Sequence, residues 1–133
     1  MTCSFHKKLT NRHELSIGVF YFHKNFVISE INEGVILTYE NTSELIKLGK
    51  TYYGDKTPFI YIANRINSYS FQPTNHFKTN EQFPNVKGYA VVTYNAIGSK
   101  IAELEKSFLK IPTRTFHKLD DAIKWVDTLV PPD

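Results

Sequence analysis

The chain has 133 residues, a net charge of +3 and one cysteine, and 41% of its residues are hydrophobic. This composition excludes a disordered chain, and it excludes a fold held by internal disulfides or by a cysteine metal cluster. The length suits one compact unit, so we predict a single domain over residues 1–133.

The basic residues are spread along the chain rather than gathered in one place. Lys7 and Lys8 are the only adjacent basic pair. Nucleic-acid-binding proteins usually concentrate Lys and Arg on one face, so we predict no nucleic-acid partner. The N-terminus, MTCSFHKKLTNRHELS, lacks the apolar core of a signal peptide, and no apolar stretch is long enough for a membrane span. We therefore expect a cytoplasmic protein with no integral membrane association, in which Cys3 is a bystander.

The first predicted elements are two strands. Ile17–Phe22 and Phe26–Ile31 are apolar runs separated by His23-Lys24-Asn25, where Asn tolerates the backbone angles of a tight turn. This pattern predicts an antiparallel hairpin. Alternation within the second run predicts that one of its faces is more buried than the other.

A helix is predicted next, beginning at Thr38 or Asn41 and ending at Tyr53. Asn41 and Glu44 loosely match a capping box, which would close the N-terminus of this helix. The apolar residues follow helical spacing: they are Leu45, Ile46, Leu48, Tyr52 and Tyr53.

The middle of the chain predicts two more strands and a weak helix. Phe59–Ala63 is predicted to form a buried strand. Tyr89–Tyr94 is predicted to form a central strand that is apolar on both faces. Between them a weak helix is expected from Pro73 or Thr74 to Phe83, where Pro84 would end it.

Two helices and one short strand complete the chain. Residues 96–109 predict a helix whose apolar residues repeat at helical spacing, which indicates a buried stripe: Ile97, Ile101, Leu104 and Phe108. Residues 111–117 predict a short strand or an extended link. A last helix covers residues 119–130, with a buried stripe of Leu119, Ala122, Trp125 or Val126, and Leu129.

Strands that alternate with helices predict an α/β fold with right-handed crossovers. We therefore expect a mixed, mostly parallel sheet of about five strands, with an N-terminal antiparallel hairpin and about four helices.

Motifs that would carry catalysis or bind a cofactor are absent from the sequence. The glycines form neither GxGxxG nor a phosphate-binding loop, and neither HExxH nor GxSxG occurs. The histidines are far apart in sequence and have no neighbouring cysteine. We therefore predict no catalytic residues, no metal and no cofactor, and do not expect an enzyme.

One segment, PFIYIANRINSYSF, combines a buried strand with an abruptly polar end. Ligands and partners of open α/β sheets meet the loops at the carboxyl ends of parallel strands, so this end is the candidate site. Arg65 could bind a phosphate or a carboxylate there. Alternatively, the polar side chains only stabilise a turn, and Arg65 pairs with a surface acid. The candidate binding residues are Asn64, Arg65, Asn67, Ser68, Tyr69 and Ser70.

From about residue 15 to 130 the chain resembles the SpoIIAA-like superfamily, which contains the STAS domains. It is most similar to bacterial proteins described as STAS/SEC14 domain-containing. The resemblance rests on the element order and on three stretches: FIYIANRINSYSF, YAVVTY before a helix, and TFHKLDDAIKWV.

The resemblance implies a SpoIIAA-like fold and two kinds of function. In anti-sigma-factor antagonists of this superfamily, a Ser that follows an Asp and starts a helix is phosphorylated to switch partner binding. That place falls near Ser70, with Ser68 as a second hydroxyl, but Tyr69 stands where the Asp should be. The Sec14-like label implies instead a pocket for a lipid or another apolar ligand.

Two hypotheses follow from the sequence and the resemblance. The first is a non-enzymatic STAS-like module that recognises a protein partner, or a second copy of itself as a homodimer, through strand-end loops and a neighbouring helix. The second is a carrier or sensor of a small apolar ligand or lipid, lined by Tyr52, Tyr53, Tyr69 and Phe71. On either hypothesis, Arg65→Ala is expected to weaken binding with little loss of stability.

Overall fold

The computed structural model of the chain describes residues 11–72, 81–107 and 109–130. The elements, in chain order, are β1 (Asn11–Leu15), β2 (Gly18–Phe22), β3 (Phe26–Ile31), β4 (Ile36–Leu37), α1 (Ser43–Tyr53), β5 (Phe59–Asn64), β6 (Ser70–Phe71), β7 (Val86–Val92), α2 (Ala96–Lys106), β8 (Thr113–Phe116) and α3 (Leu119–Leu129). Most of the predicted helix from Pro73 or Thr74 to Phe83 lies outside the described residues.

Six strands form one mixed sheet in the order β1-β2-β3-β5-β7-β8. The pairs β1–β2 and β2–β3 are antiparallel, whereas β3–β5, β5–β7 and β7–β8 are parallel. The carboxyl ends of four neighbouring strands therefore lie along one edge of the sheet. This topology confirms the predicted α/β fold, with its mostly parallel sheet and its N-terminal hairpin.

Three strands that the sequence pattern did not indicate are present. β1 is a polar strand at the edge of the main sheet, and its side chains are mostly exposed, so it lacks the apolar alternation that marks a half-buried strand. β4 and β6 have two residues each and pair in parallel as a small second sheet. Such short strands depend on a distant partner rather than on local sequence.

The start of α1 differs from the predicted capping box. Thr42 is the N-cap residue, and its side chain makes no capping hydrogen bond. Its hydroxyl donates instead to the carbonyl oxygens of Thr38 and Tyr39, while Oδ1 of Asn41 accepts from the Thr38 amide. These bonds fix the turn before the helix, so the predicted pairing of Asn41 with Glu44 as a capping box is wrong.

The helices lie on both faces of the sheet. α3 packs on one face through Leu119, Ala122 and Val126, which confirms its predicted stripe. α1 covers the opposite face through Tyr53 and its neighbours. Ala102 of α2 contributes to a smaller cluster on that same face, with Ala63 and Val91 of the sheet.

The orientation of α2 contradicts the predicted buried stripe. Ile97 is 73% exposed, Leu104 is 65% exposed and Ile101 is 38% exposed. The buried residues of α2 are Ala102 and the fully buried Glu105. The helix is thus rotated about its axis, so that a carboxylate and a small residue face the core and the apolar stripe faces solvent. The side chain of Phe108 lies outside the described residues.

The close packing of β2 on β3 depends on Gly18, and this yields a test. A Cβ at Gly18 would lie 2.4 Å from the Glu30 carbonyl oxygen, whereas a Cβ at Gly34, where φ is +79°, meets nothing within 4 Å. Gly34→Ala should therefore cost only the strain of the left-handed backbone, about 1–2 kcal/mol. Gly18→Ala requires backbone movement as well, so chemical denaturation should show a clearly larger loss of unfolding free energy. Equal losses for the two variants would contradict this reading of the hairpin.

Candidate binding site

Asn64 joins the carboxyl ends of three neighbouring strands. It is the last residue of β5, and its side chain is buried. Its Nδ2 donates to Glu30 Oε2 of β3 at 3.0 Å, and its Oδ1 accepts from the Tyr94 hydroxyl, just beyond β7, at 2.5 Å. Both ends of the amide are therefore used within the protein, and Asn64 acts as a brace for this edge of the sheet.

The residues that follow are tied to the chain between β3 and β4. Asn67 Nδ2 donates to the Ile31 carbonyl oxygen at 3.0 Å, and the Ser68 amide donates to Glu33 Oε1 at 2.9 Å. Ser68 and Ser70 are exposed. Ser70 begins β6, where its amide donates to the Val35 carbonyl. Ser70 thus lies at the start of a strand, and the helix start that would favour a phosphate is not found at this position.

Arg65 turns into the protein rather than toward solvent. Its side chain is 9% exposed, and its Nη1 lies 2.5 Å from Oε1 of the fully buried Glu105 on α2. Its Nε donates to the Tyr69 hydroxyl at 3.0 Å, and Nη2 donates to the Tyr89 hydroxyl at 3.2 Å. Tyr89 in turn donates to Glu105 Oε2 at 3.0 Å. We call these four residues, Arg65, Tyr69, Tyr89 and Glu105, the buried polar cluster.

Arg65 keeps its charge, and Tyr69 and Tyr89 keep their hydroxyl protons, because their pKa values are raised. Burial raises the pKa of Tyr89 well above its ordinary value, and the Glu105 carboxylate raises it further. Burial also raises the pKa of Tyr69, although the Arg65 cation opposes the shift. Burial works against the charge of Arg65, but Tyr89, Tyr69 and Glu105 outweigh it and leave the pKa of Arg65 raised. At neutral pH the guanidinium is therefore charged, and both tyrosines are hydrogen-bond donors.

A cavity of about 90 Å³ lies beside the buried polar cluster, between α1, the sheet and β6. Arg65, Tyr69 and Tyr89 contribute to its wall. Of the four residues predicted to line an apolar pocket, Tyr53, Tyr69 and Phe71 line this cavity. Tyr52 instead stacks on Phe22, with ring centroids 4.4 Å apart, and bonds to His13.

The sequence reasoning missed two members of the cluster, Tyr89 and Glu105. Glu105 was not recognised because its helix carries a conspicuous apolar stripe, which was expected to face the core. A single Glu outside that stripe is expected to face solvent. One weak signal was available. The spacing of Gly98, Ala102 and Glu105 places two small residues and the carboxylate on one face of α2, and small residues permit close contact with a sheet.

None of the described helices is long and apolar enough to cross a membrane. Nor do three or more metal-ligating side chains come together in the part of the chain that the structure describes.

The burial of Arg65 overturns the expectation that Arg65→Ala would leave stability almost intact. Removing the guanidinium leaves the Glu105 carboxylate buried without its cation, which typically costs about 3–5 kcal/mol. The double variant Arg65→Met/Glu105→Leu removes both charges and should be clearly more stable than Arg65→Ala. Guanidinium denaturation measures both unfolding free energies.

The matched control is Arg12→Ala, which breaks the exposed contact between Arg12 and Glu14. Exposed ion pairs contribute about 0–1 kcal/mol, so this variant should stay close to the wild type. A loss for Arg65→Ala no greater than that for Arg12→Ala would contradict the assigned role of the buried pair.

Comparisons with known proteins identify the fold. No family model matches the chain, and no curated protein sequence matches it. Among solved structures, the chain is similar to an uncharacterized protein of the DUF3478 family with a SpoIIAA-like fold, from Shewanella loihica PV-4. The TM-score is 0.58 at 14% sequence identity, and the match covers 88% of this chain and 91% of the other. The chain has the SpoIIAA-like fold that its sequence resemblance implied.

Proposed function

We propose that this chain is a STAS-like binding module without catalytic activity, and that it binds a protein partner through α2 and the adjacent strand ends. The observation that carries this proposal is the solvent-facing apolar stripe of α2, formed by Ile97, Ile101 and Leu104. Full burial of one such side chain stabilises a protein by about 1.5–3 kcal/mol. In the isolated chain Ile97 and Leu104 are exposed and contribute none of this free energy. Burial of the two side chains against a partner would contribute it.

Two more exposed apolar side chains follow neighbouring strands of the main sheet. Tyr94, just beyond β7, is 51% exposed, and Ile66, just beyond β5, is 53% exposed. These strand ends are neighbours, because Tyr94 bonds to Asn64. Single exposed apolar residues are common, whereas several in one region favour an interaction surface. We call Ile66, Tyr94, Ile97, Ile101 and Leu104 the α2 surface.

Charges near the α2 surface indicate the kind of partner. Lys100 and Lys110 are exposed, and Lys106 pairs with Glu103 at 3.1 Å. The exposed lysines of this region outnumber its exposed carboxylates, so the surface favours a partner with apolar side chains and an acidic rim. A second copy of the chain would bring similar lysine-rich rims together, which makes a homodimer through this face less favourable.

The size of the cavity favours protein recognition over lipid transport. Pockets that bind small molecules usually enclose about 300–1,000 Å³, whereas the cavity beside the buried polar cluster measures about 90 Å³. The polar segment Asn64–Ser70 supports the same proposal, because its bonds to Glu30, Ile31 and Glu33 hold the strand ends in place. Ser68 and Ser70 of this segment are exposed, so phosphorylation of either would add negative charge to the segment.

The proposal predicts the behaviour of the double variant Ile97→Gln/Leu104→Gln. Both positions are exposed, and Gln is a good helix former, so the unfolding free energy should change by less than about 1 kcal/mol. Affinity for the partner should fall at least tenfold, because the apolar contacts are lost. The partner is found by affinity purification from the native host with quantitative mass spectrometry, and its affinity is then measured by calorimetry with purified proteins.

The control is Lys124→Gln, an exposed change on α3 at the opposite face of the sheet. A partner that binds wild type, Lys124→Gln and the double variant equally well would remove the α2 surface from the proposed function. A wild-type protein that sediments as a stable dimer, and that the double variant converts to a monomer, would replace the proposed partner with a second copy of the chain.

A further inference from the structure

We propose that the partner of the α2 surface presents an amphipathic α-helix with acidic residues beside its apolar stripe, and that this helix packs lengthwise along α2. The inference rests on the proposed function, because it names the segment of the partner that α2 would bind. Three features of α2 carry it: the spacing of its exposed apolar residues, the charge beside them, and the contacts that hold the helix in the fold.

The exposed apolar residues of α2 have the spacing of a contact between two helices. Ile97, Ile101 and Leu104 follow one another at intervals of four and three residues, which is the spacing of the d, a and d positions of a heptad. From Ile97 to Leu104 this row advances about 10 Å along the helix axis, close to two turns. Side chains at a and d positions insert between those of a second helix that lies alongside. The row therefore matches an equivalent row on a partner helix.

An extended segment of a partner fits this surface less well than a helix does. A strand binds by adding to an open sheet edge, where its backbone N–H and C=O groups find partners. Between its ends, α2 bonds its own backbone groups within the helix and offers none to a strand. A partner helix has its backbone groups already paired, so side-chain contacts are sufficient to bind it. The surface of α2 therefore favours a helical segment.

The side chains beside the row present a positive charge to a partner. In the heptad that the row defines, Lys100 and Ser107 take the g positions, and both are exposed. Gly98 and Glu105 take the e positions. Glu105 is fully buried and paired with Arg65, so its carboxylate is not accessible to a partner. Residues at e and g positions select a partner helix by charge, and Lys100 therefore selects a Glu or an Asp.

The fold fixes α2 in the orientation that exposes the row. The ion pair of Arg65 with Glu105 and the packing of Ala102 on the sheet set the rotation of the helix about its axis. At the N-terminus of the helix, Asn95 Oδ1 accepts from the Gly98 amide at 2.7 Å. A partner helix thus meets a preformed row, and its binding does not require α2 to be ordered first.

Three designed peptides, each about three heptads long, test the kind of segment that binds. The acidic helix has Leu at a and d and Glu at e and g, and the basic helix has Lys at e and g instead. The third peptide has the composition of the acidic helix, reordered so that Leu alternates with polar residues as in a strand. Like charges at e and g keep each helical peptide from pairing with itself.

Calorimetric titration of the wild-type chain measures the three affinities. We expect saturable binding of the acidic helix, weaker binding of the basic helix and no saturable binding of the reordered peptide. No saturable binding of the acidic helix, or an equal affinity for either of the other two peptides, would overturn the proposal.

Charge reversal at Lys100 tests the selection by charge. Lys100→Glu should lower the affinity for the acidic helix about 2- to 10-fold and raise the affinity for the basic helix by a similar factor. The matched control, Lys124→Glu, makes the same change in net charge on the opposite face of the sheet, and it should alter both affinities much less. Equal changes in the two variants would assign the preference to the net charge of the chain and would overturn the proposal.

The double variant Ile97→Gln/Leu104→Gln separates this inference from the proposed function. It should abolish saturable binding of the acidic helix and weaken binding of the native partner. If the double variant weakens the native partner but the acidic helix does not bind the wild type, the α2 surface remains the interface and only the helical partner is overturned. A native partner that binds the double variant and the wild type equally well would overturn the proposed function and, with it, the helical partner.

Discussion

The ion pair between Arg65 and Glu105 is the constraint on which the rest of the structure depends. Arg65 follows directly after a buried central strand, and its side chain lies inside the protein, where an unpaired cation would be strongly unfavourable. Glu105 supplies the carboxylate from α2. Placing the Glu105 carboxylate beside Arg65 fixes the rotation of α2 about its axis. That rotation turns Ile97 and Leu104 toward solvent. The candidate surface and the buried polar cluster are therefore two consequences of one interaction.

Local patterns predicted most of the fold but not this interaction. The hairpin of β2 and β3 was predictable because both of its strands are apolar runs separated by a short polar turn. The stripe of α3 was predictable because it packs its most apolar face on the sheet. In α2 the most apolar face does not pack on the sheet. Hydrophobic periodicity considers the residues of one helix only, so it takes no account of a charge that is buried elsewhere in the fold. β4 and β6 escaped prediction for a related reason, since each strand forms only by pairing with the other.

The sequence predicted where the candidate residues lie in the fold, but it did not predict their contacts. Asn64, Arg65 and Tyr69 are at the carboxyl end of a parallel strand, as the strand-end rule indicated. Their roles differ from the expected ones, because Asn64 braces three strand ends and Arg65 holds α2. In the proposed function, the segment acts mainly by positioning the neighbouring helix.

The central claim is that the buried pair holds α2 and the segment after β5 together as one unit. Hydrogen exchange of backbone amides in the wild type and in Glu105→Gln tests it most directly, because this variant removes the charge with little change in shape. The account predicts that amides of Ala96–Lys106 and of residues 65–71 lose protection together, by about tenfold or more, while those of α3 change much less. Unchanged protection of α2, or a loss in α2 without any change in residues 65–71, would contradict the account.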